Sequence, residues 1–450
     1  MLIRFIAENV YSFGKQREFN MIPAPRFTRH NHHKYKKLDF DILKMAAVYG
    51  ANAAGKSNLV KAISLLVNII LNEQVPSNIY STHFKFNKKL KPQVLAIEFI
   101  INGKSFYYAI ELLNDIIKTE ELYETGLGKK EDRLIFERKT DKNNKISIRF
   151  FYGFDENPEH VLLKNIVENN LSKPGKPVFK MLTSLNNKAF DEIKQALDWF
   201  ENSIEIIDPN SKPVALANEI SNDREFKSYA ENFMCTLDTG ICELYNEKKK
   251  IDEYFRGNPD IVNHIRNEID KSASKMLVLK NNTGNEIVVI KEGNDILVES
   301  ISFGHVGENE NIKYFNLDEE SDGTIRLLDF IPAFKEIISS PKVYIIDEIE
   351  RSIHPLLIKE LVKKFSEDEL TRGQLIFCTH ESNLLDQNIF RQDEIWFIEK
   401  DKNGASDLYS LSDFKEHNTI DIRKGYLSGR YGSIPFLGSL KDLNWHSYDS

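Results

Sequence analysis

Two rhythms of apolar and polar residues alternate along the chain. The segment 45-MAAVYG-50 is an unbroken apolar run of strand length, and beyond a glycine-rich break Leu59, Ala62, Ile63, Leu66 and Ile70 recur every three or four residues. The first pattern predicts a strand buried on both faces, the second an amphipathic helix. Residues 93-QVLAIEFIINGKSFYYAIELL-113 alternate about Asn102 and Gly103. That is the strongest short cue for a β-hairpin, because both turn residues must accept positive φ. From about residue 155 to 275 the period becomes helical, and Phe190, Ile193, Leu197, Phe200 and Ile204 keep one helical face until Pro209 ends it. Strands are expected again at 276-MLVL-279, 286-EIVVI-290, 343-VYII-346 and 374-QLIFCT-379, and a hairpin turn at 401-DKNG-404.

The break at 50-GANAAGKSN-58 sits where a phosphate cradle needs to be, between a buried strand and a helix N-terminus. Gly50 and Gly55 let the intervening backbone N–H groups of Asn52, Ala53 and Ala54 turn inward, and the helix start at Lys56, Ser57 and Asn58 adds partial positive charge. Lys56 would reach the β and γ phosphates of ATP and Ser57 would ligate Mg²⁺. The bland alternative is a glycine-rich turn before a core helix.

A cradle cleaves nothing by itself. The strand 343-VYII-346 ends in Asp347 and Glu348, delivering carboxylates to the C-terminal edge of an open α/β sheet, where ligands bind. Asp347 would hold Mg²⁺ and Glu348 would polarise the attacking water. A third strand ends in His380, which is placed to hydrogen-bond a γ-phosphate; alone, it would read as a structural histidine.

These motifs, with roughly 290 residues between the first and second and about 30 between the second and third, resemble the ABC-type ATPase heads of the RecF, SMC and Rad50 kind. The stretch 320-ESDGTIRLLD-329 falls where such heads carry their signature motif. The resemblance implies that Ser321 and Gly323, at the start of a helix from Thr324 to Phe330, reach across a dimer to the partner's γ-phosphate. More narrowly the chain resembles the AAA-family proteins related to RloA, the AbiL abortive-infection ATPases and the OLD-like group. It does so through 5-FIAENVYSFG-14, the cradle, ESDGTIRLL, DEIERSIHPLL, FCTHESNLLD, 391-RQDEIWFIEKD-401 and 426-YLSGRYGSIPFLG-438. By that pattern Ser352 and His354 face the opposed subunit. Tyr11 stands where many RecF-like heads offer arginine, and spacing assigns no glutamine to the Q-loop, whose residue stays unplaced.

The implied fold class is α/β, an ABC-type P-loop head with a β-rich N-terminal lobe. Residues 1–150 would form its first half, 151–300 a mainly helical insertion with short strands, and 301–450 its second half. That insertion is far too short for an SMC or Rad50 coiled coil. The region after His380 lacks the acidic cluster of a Toprim nuclease. The implied function is an ATP-hydrolysing switch built from head dimers, the sensor of a bacterial antiphage system acting through a separate effector, a nuclease or toxin encoded nearby. The alternatives are a nearly static ATP-bound scaffold holding a toxin inactive, or a RecF-like DNA-repair ATPase.

Composition changes this picture in one respect. With 60 Lys+Arg against 68 Asp+Glu the net charge is −8, so nucleic acid would need a local basic patch rather than a global field. No cationic leader or bilayer-length apolar run is evident, which makes the cytoplasm the default. Cys235, Cys242 and Cys378 form no CxxC pair and are expected to be buried thiols. The run 29-RHNHHKYKK-37 is expected to be a solvated loop, since its histidines lack the i, i+4 spacing that converges two imidazoles on a helix.

Overall fold

A computed structural model of the chain describes residues 1–37, 40–87, 91–213, 216–237, 239–280, 286–307, 311–414, 416 and 420–434. The end of the motif 426–438, residues 435–438, lies outside them. The chain divides into two compact units, residues 1–209, 337–349 and 359–450 in the first and residues 210–336 and 350–358 in the second.

The first unit carries two large sheets. In one, the strands Met45–Tyr49, Gln374–Thr379, Val343–Ile346 and Ile204–Ile207 run parallel, in that order from the centre outward. On the other side of Met45–Tyr49, Ile395–Lys400 is also parallel and hairpins into the antiparallel strand Ser406–Ser410. Every residue of Met45–Tyr49, Val343–Ile346 and Gln374–Thr379 is buried, as their continuous apolar runs require. The other sheet is antiparallel and joins Leu2–Glu8 and Arg17–Asn20 to the meander Gln93–Ile101, Lys104–Leu113, Ile116–Glu124, Arg133–Thr140 and Ile146–Phe150. Its expected hairpin turns at Asn102 and Gly103, with φ 48° and 77°. The buried Gln374 amide bridges the two sheets: Leu2 N–H donates to its Oε1 at 2.8 Å, while Nε2 donates to the Leu2 and Leu43 carbonyls. The helices Lys56–Leu71 and Asp191–Asn202 share one apolar core with both sheets, in which the buried Trp199 ring stacks on Phe99 at 4.4 Å.

The helical rhythm through Ile204 stops earlier than expected. The helix ends at Asn202, and Ile204 opens the strand Ile204–Ile207, whose β-branched residues pair with Val343–Ile346. Because this strand belongs to the central sheet, residues 151–209 fall in the first unit and the boundary does not lie at 150.

The second unit is also richer in strand than a mainly helical insertion. Ile241–Lys250, Asp295–Val306, Glu286–Glu292 and Met276–Lys280 form an antiparallel sheet in that order, and Ile312–Asn316 pairs with the far end of Asp295–Val306. Ile241–Lys250 escapes a pattern reading because its outer half, 246-NEKKK-250, is polar. Helices Arg224–Thr236, Pro259–Lys271 and Asp322–Ser339 belong to this unit wholly or in greater part.

Two smaller expectations are corrected. Cys378 alone is buried; Cys235 is exposed on helix Arg224–Thr236, and Cys242, half-buried, donates from Sγ to the Gly304 carbonyl. The run 29–37 is a 3₁₀ turn, Asn31–His33, followed by the strand Lys34–Lys37, with His33 fully buried. Among the described residues no helix is long and apolar enough to cross a membrane.

Candidate nucleotide site

The strand Met45–Tyr49 leads into Gly50, and the helix Lys56–Leu71 begins with Gly55 at its N-cap, φ 125°. No side chain caps this helix. The N–H groups of Lys56 and Ser57, at the very start of the helix, are thus left without a side-chain cap, the arrangement that receives an anion. Gly50 and Gly55 are sterically required. A Cβ on Gly50 would lie 2.4 Å from the Ile398 carbonyl oxygen, and one on Gly55 would lie 2.2 Å from Ser406 Oγ. Between them Asn52 and Ala53 are exposed, and Ala53 holds φ 62°, a left-handed conformation that costs a non-glycine residue about 1–3 kcal/mol.

Lys56 is buried, and its ammonium donates to the carbonyls of Gly50 at 2.7 Å and Ala51 at 3.2 Å. It also lies 3.2 Å from His380 Nδ1. An ammonium only donates, so Nδ1 accepts and the ring proton sits on Nε2. This meeting spans 324 residues of sequence and follows from sheet order: the strand ending at Thr379 lies beside Met45–Tyr49, with Thr379 opposite Tyr49.

Asp347 follows the strand Val343–Ile346 and is buried, and its carboxylate accepts from the Ser57 hydroxyl. Burial pushes this carboxyl above its ordinary range; the Ser57 bond opposes the rise, Glu348 and Asp208 add to it, and Lys56 opposes it. Among the described residues its Oδ1 has no hydrogen-bond partner, although it is buried. Such an oxygen beside a hydroxyl suits a hard divalent cation, so Ser57 and Asp347 fit Mg²⁺. Glu348 stands at φ 50° between two anchored neighbours: Asp347 N–H donates to the Ile207 carbonyl at 2.9 Å and Ile349 N–H to the Cys378 carbonyl at 3.2 Å. The left-handed turn leaves Glu348 half-exposed at the sheet edge.

Three further residues shape this region, of which only Ser12 falls in a motif quoted above, 5-FIAENVYSFG-14. Ser12, in the N-terminal turn, accepts from the Asn58 amide at 2.9 Å and shares a 2.7 Å hydrogen bond with Ser406. Ser406 in turn donates to the Ala54 carbonyl at 2.6 Å. Asn58 thus serves the wall of the cradle through Ser12. Asp208 follows the strand Ile204–Ile207, in register beside Asp347, and brings a third carboxylate to the edge that holds Asp347 and Glu348.

Ser321 and Gly323 belong to the second unit, as do Ser352 and His354. Ser321 is exposed, and its Oγ accepts from Thr324 N–H at 3.1 Å, capping a helix that starts at Asp322, two residues before the expected position. A Cβ on Gly323 would lie 2.6 Å from the Ser352 carbonyl oxygen, so this glycine packs directly on the exposed turn that carries Ser352 and His354.

The chain is similar to three solved SMC heads, each at 13% identity. The SmcHead bound to the C-winged helix domain of ScpA matches over 91% of this chain and 97% of its own, with a TM-score of 0.42. The SMC head domain from Thermotoga maritima matches over 91% and 98%, with a TM-score of 0.40. The Smc head with an extended coiled coil bound to the C-terminal domain of ScpA, from Pyrococcus furiosus, matches over 96% and 98%, with a TM-score of 0.37. No curated protein matches. The sequence profile of the family described as "AAA domain, putative AbiEii toxin, Type IV TA system" matches residues 45–386, from the strand before the cradle to just past His380, and the chain belongs to that AAA-domain family.

Proposed function

We propose that the chain is an ATP-hydrolysing switch that works as a pair of heads and controls a separate effector in antiphage defence. The observation that carries this reading is the meeting, in one unit, of Lys56 with His380 and of Ser57 with Asp347. The triphosphate would lie along the loop from Gly50 to Ser57, with the Lys56 ammonium transferring from loop carbonyls to phosphate oxygens. Mg²⁺ held by Ser57 and Asp347 would neutralise phosphate charge. Glu348 would take the proton of the attacking water, a role worth about 10²–10⁴-fold in rate. His380, with its proton on Nε2, would donate to the γ-phosphate.

Pairing is supported by the exposed helix start at Ser321 and by the exposed turn at Ser352, against which Gly323 packs. Each copy would offer this edge to its neighbour's nucleotide, so closure would depend on ATP. The family's description as an AbiEii-type toxin and Type IV toxin–antitoxin component supports a part in a system where a toxic activity is held in check.

The test is ATP turnover and sedimentation of the purified chain. Lys56→Ala is expected to abolish turnover, and Glu348→Gln to slow it by about 10²–10⁴-fold while retaining ATP and accumulating dimers. Turnover by Glu348→Gln at the parental rate would overturn the role given to this residue, and an ATP-loaded monomer would overturn the paired switch.

A further inference from the structure

The basic run at 29–37 folds around three histidines. His30, His32 and His33 each bring a ring nitrogen within 4.8 Å of the other two. The geometry follows from the 3₁₀ turn Asn31–His33, entered through His30 at φ 51°. Three residues per turn make positions i and i+3 eclipse. His30 and His33 accordingly stack, with ring centroids 4.9 Å apart, and His32 meets His33 edge-on at 4.5 Å. The i, i+4 spacing of a helical metal site is absent because a tighter helix gathers the rings instead.

The outward nitrogens are already oriented. His30 Nε2 lies 2.8 Å from the Gln387 carbonyl, which only accepts, so Nε2 carries the proton and Nδ1 the lone pair. His33 Nδ1 lies 3.0 Å from both carboxyl oxygens of the fully buried Glu394. Its Nε2 is buried against the Ser366 backbone, without a hydrogen bond of good geometry. An imidazole fixed on one nitrogen by a carbonyl or carboxylate is how metal-ligating histidines are held.

Two cations nearby oppose a bound dication, and both are engaged. Arg391 is paired with Asp393 at 2.8 and 2.9 Å, and Lys44 donates to the Ser366 and Asp368 carbonyls. Glu394 lies 3.0 Å from His33. We propose that His30, His32 and His33 form a binding site for a divalent transition metal of the zinc class, oriented by Glu394 and the Gln387 carbonyl. Three imidazoles without thiolate suit Zn²⁺, which would complete a tetrahedron with water.

The experiment uses the full chain, stripped with chelator and titrated with Zn²⁺. Bound metal is measured by mass spectrometry after equilibrium dialysis, and folding is followed by circular dichroism. The parent is expected to hold about one Zn²⁺ and to melt higher with it. Asp347→Asn, which alters the nucleotide site, should keep that ion, whereas His32→Ala and the more conservative His30→Gln should lose it while retaining the native spectrum. Glu394→Gln should weaken binding by about 10- to 100-fold. A folded parent that binds no zinc, or zinc retained in both histidine variants, would overturn the site. Loss in Asp347→Asn alone would assign the ion to the nucleotide centre.

Discussion

Replacing Ser406 by alanine isolates the contribution of the hydroxyl chain behind the cradle. Ser406 is buried, and its Oγ is the donor to the Ala54 carbonyl at 2.6 Å and the partner of Ser12 at 2.7 Å. Ser12 keeps the Asn58 amide, so the principal loss falls on Ala54. Leaving one buried polar group unsatisfied costs about 1–3 kcal/mol. Ala53, one residue earlier, already stores about 1–3 kcal/mol of backbone strain at φ 62°. A loop released at Ala54 therefore relaxes away from the shape proposed to receive the phosphates. If the whole cost falls on the loop, ATP affinity drops by about 5- to 150-fold. Fluorescent-nucleotide titration measures that drop, and thermal melting without nucleotide separates it from a general loss of stability. Ser12→Ala combined with Ser406→Ala should be non-additive by at least about 0.5 kcal/mol, because the two share one network. Affinity within twofold of the parent, with additive effects, would refute the idea that these hydroxyls shape the cradle.

Asp208→Asn removes a negative charge next to Asp347, and the Mg²⁺ concentration for half-maximal ATP turnover is expected to rise severalfold, read from a magnesium titration. Trp199→Ala should cost about 3–5 kcal/mol by chemical denaturation. Trp199→Phe should cost much less, because the stack on Phe99 survives while the buried Nε1–H, which has no partner among the described residues, is removed. Lys44 is fully buried, and desolvation pushes its ammonium down to about 8 from an ordinary 10.5. The unfolded chain then binds more protons between those values, so this residue makes stability rise with pH from about 8 to 10.5, its penalty being fully present below 8. Lys44→Met should flatten that part of the parent's stability curve, measured by urea unfolding across the range.

Legibility of the candidate site followed the locality of its chemistry. The cradle is made of contiguous backbone, so Gly50 to Ser57 had to appear as one string between a strand and a helix, and the structure places it there. That Asp347 and His380 each follow a buried strand was readable from the apolar runs before them. Ser406 and Asp208 were not readable, and neither was the contact that Ser12, within 5-FIAENVYSFG-14, makes with Ser406. A serine at an ordinary strand position or an aspartate before a proline has no spacing rule, and its role arises only from what the fold sets against it. Ile204 misled for a related reason: it falls in phase with the preceding helix, yet its backbone pairs with Val343.

The sequence by itself determined the strand, cradle and helix, the Asn102-Gly103 hairpin and the carboxylate-terminated strand, because each rests on sterics and hydrogen bonds among near neighbours. Tertiary structure alone decided that His380 meets Lys56, that Asp208 stands beside Asp347, and that a histidine run expected in solvent closes on a buried glutamate. Those contacts depend on the order in which parallel strands pair across hundreds of residues, and no short window of sequence encodes that order.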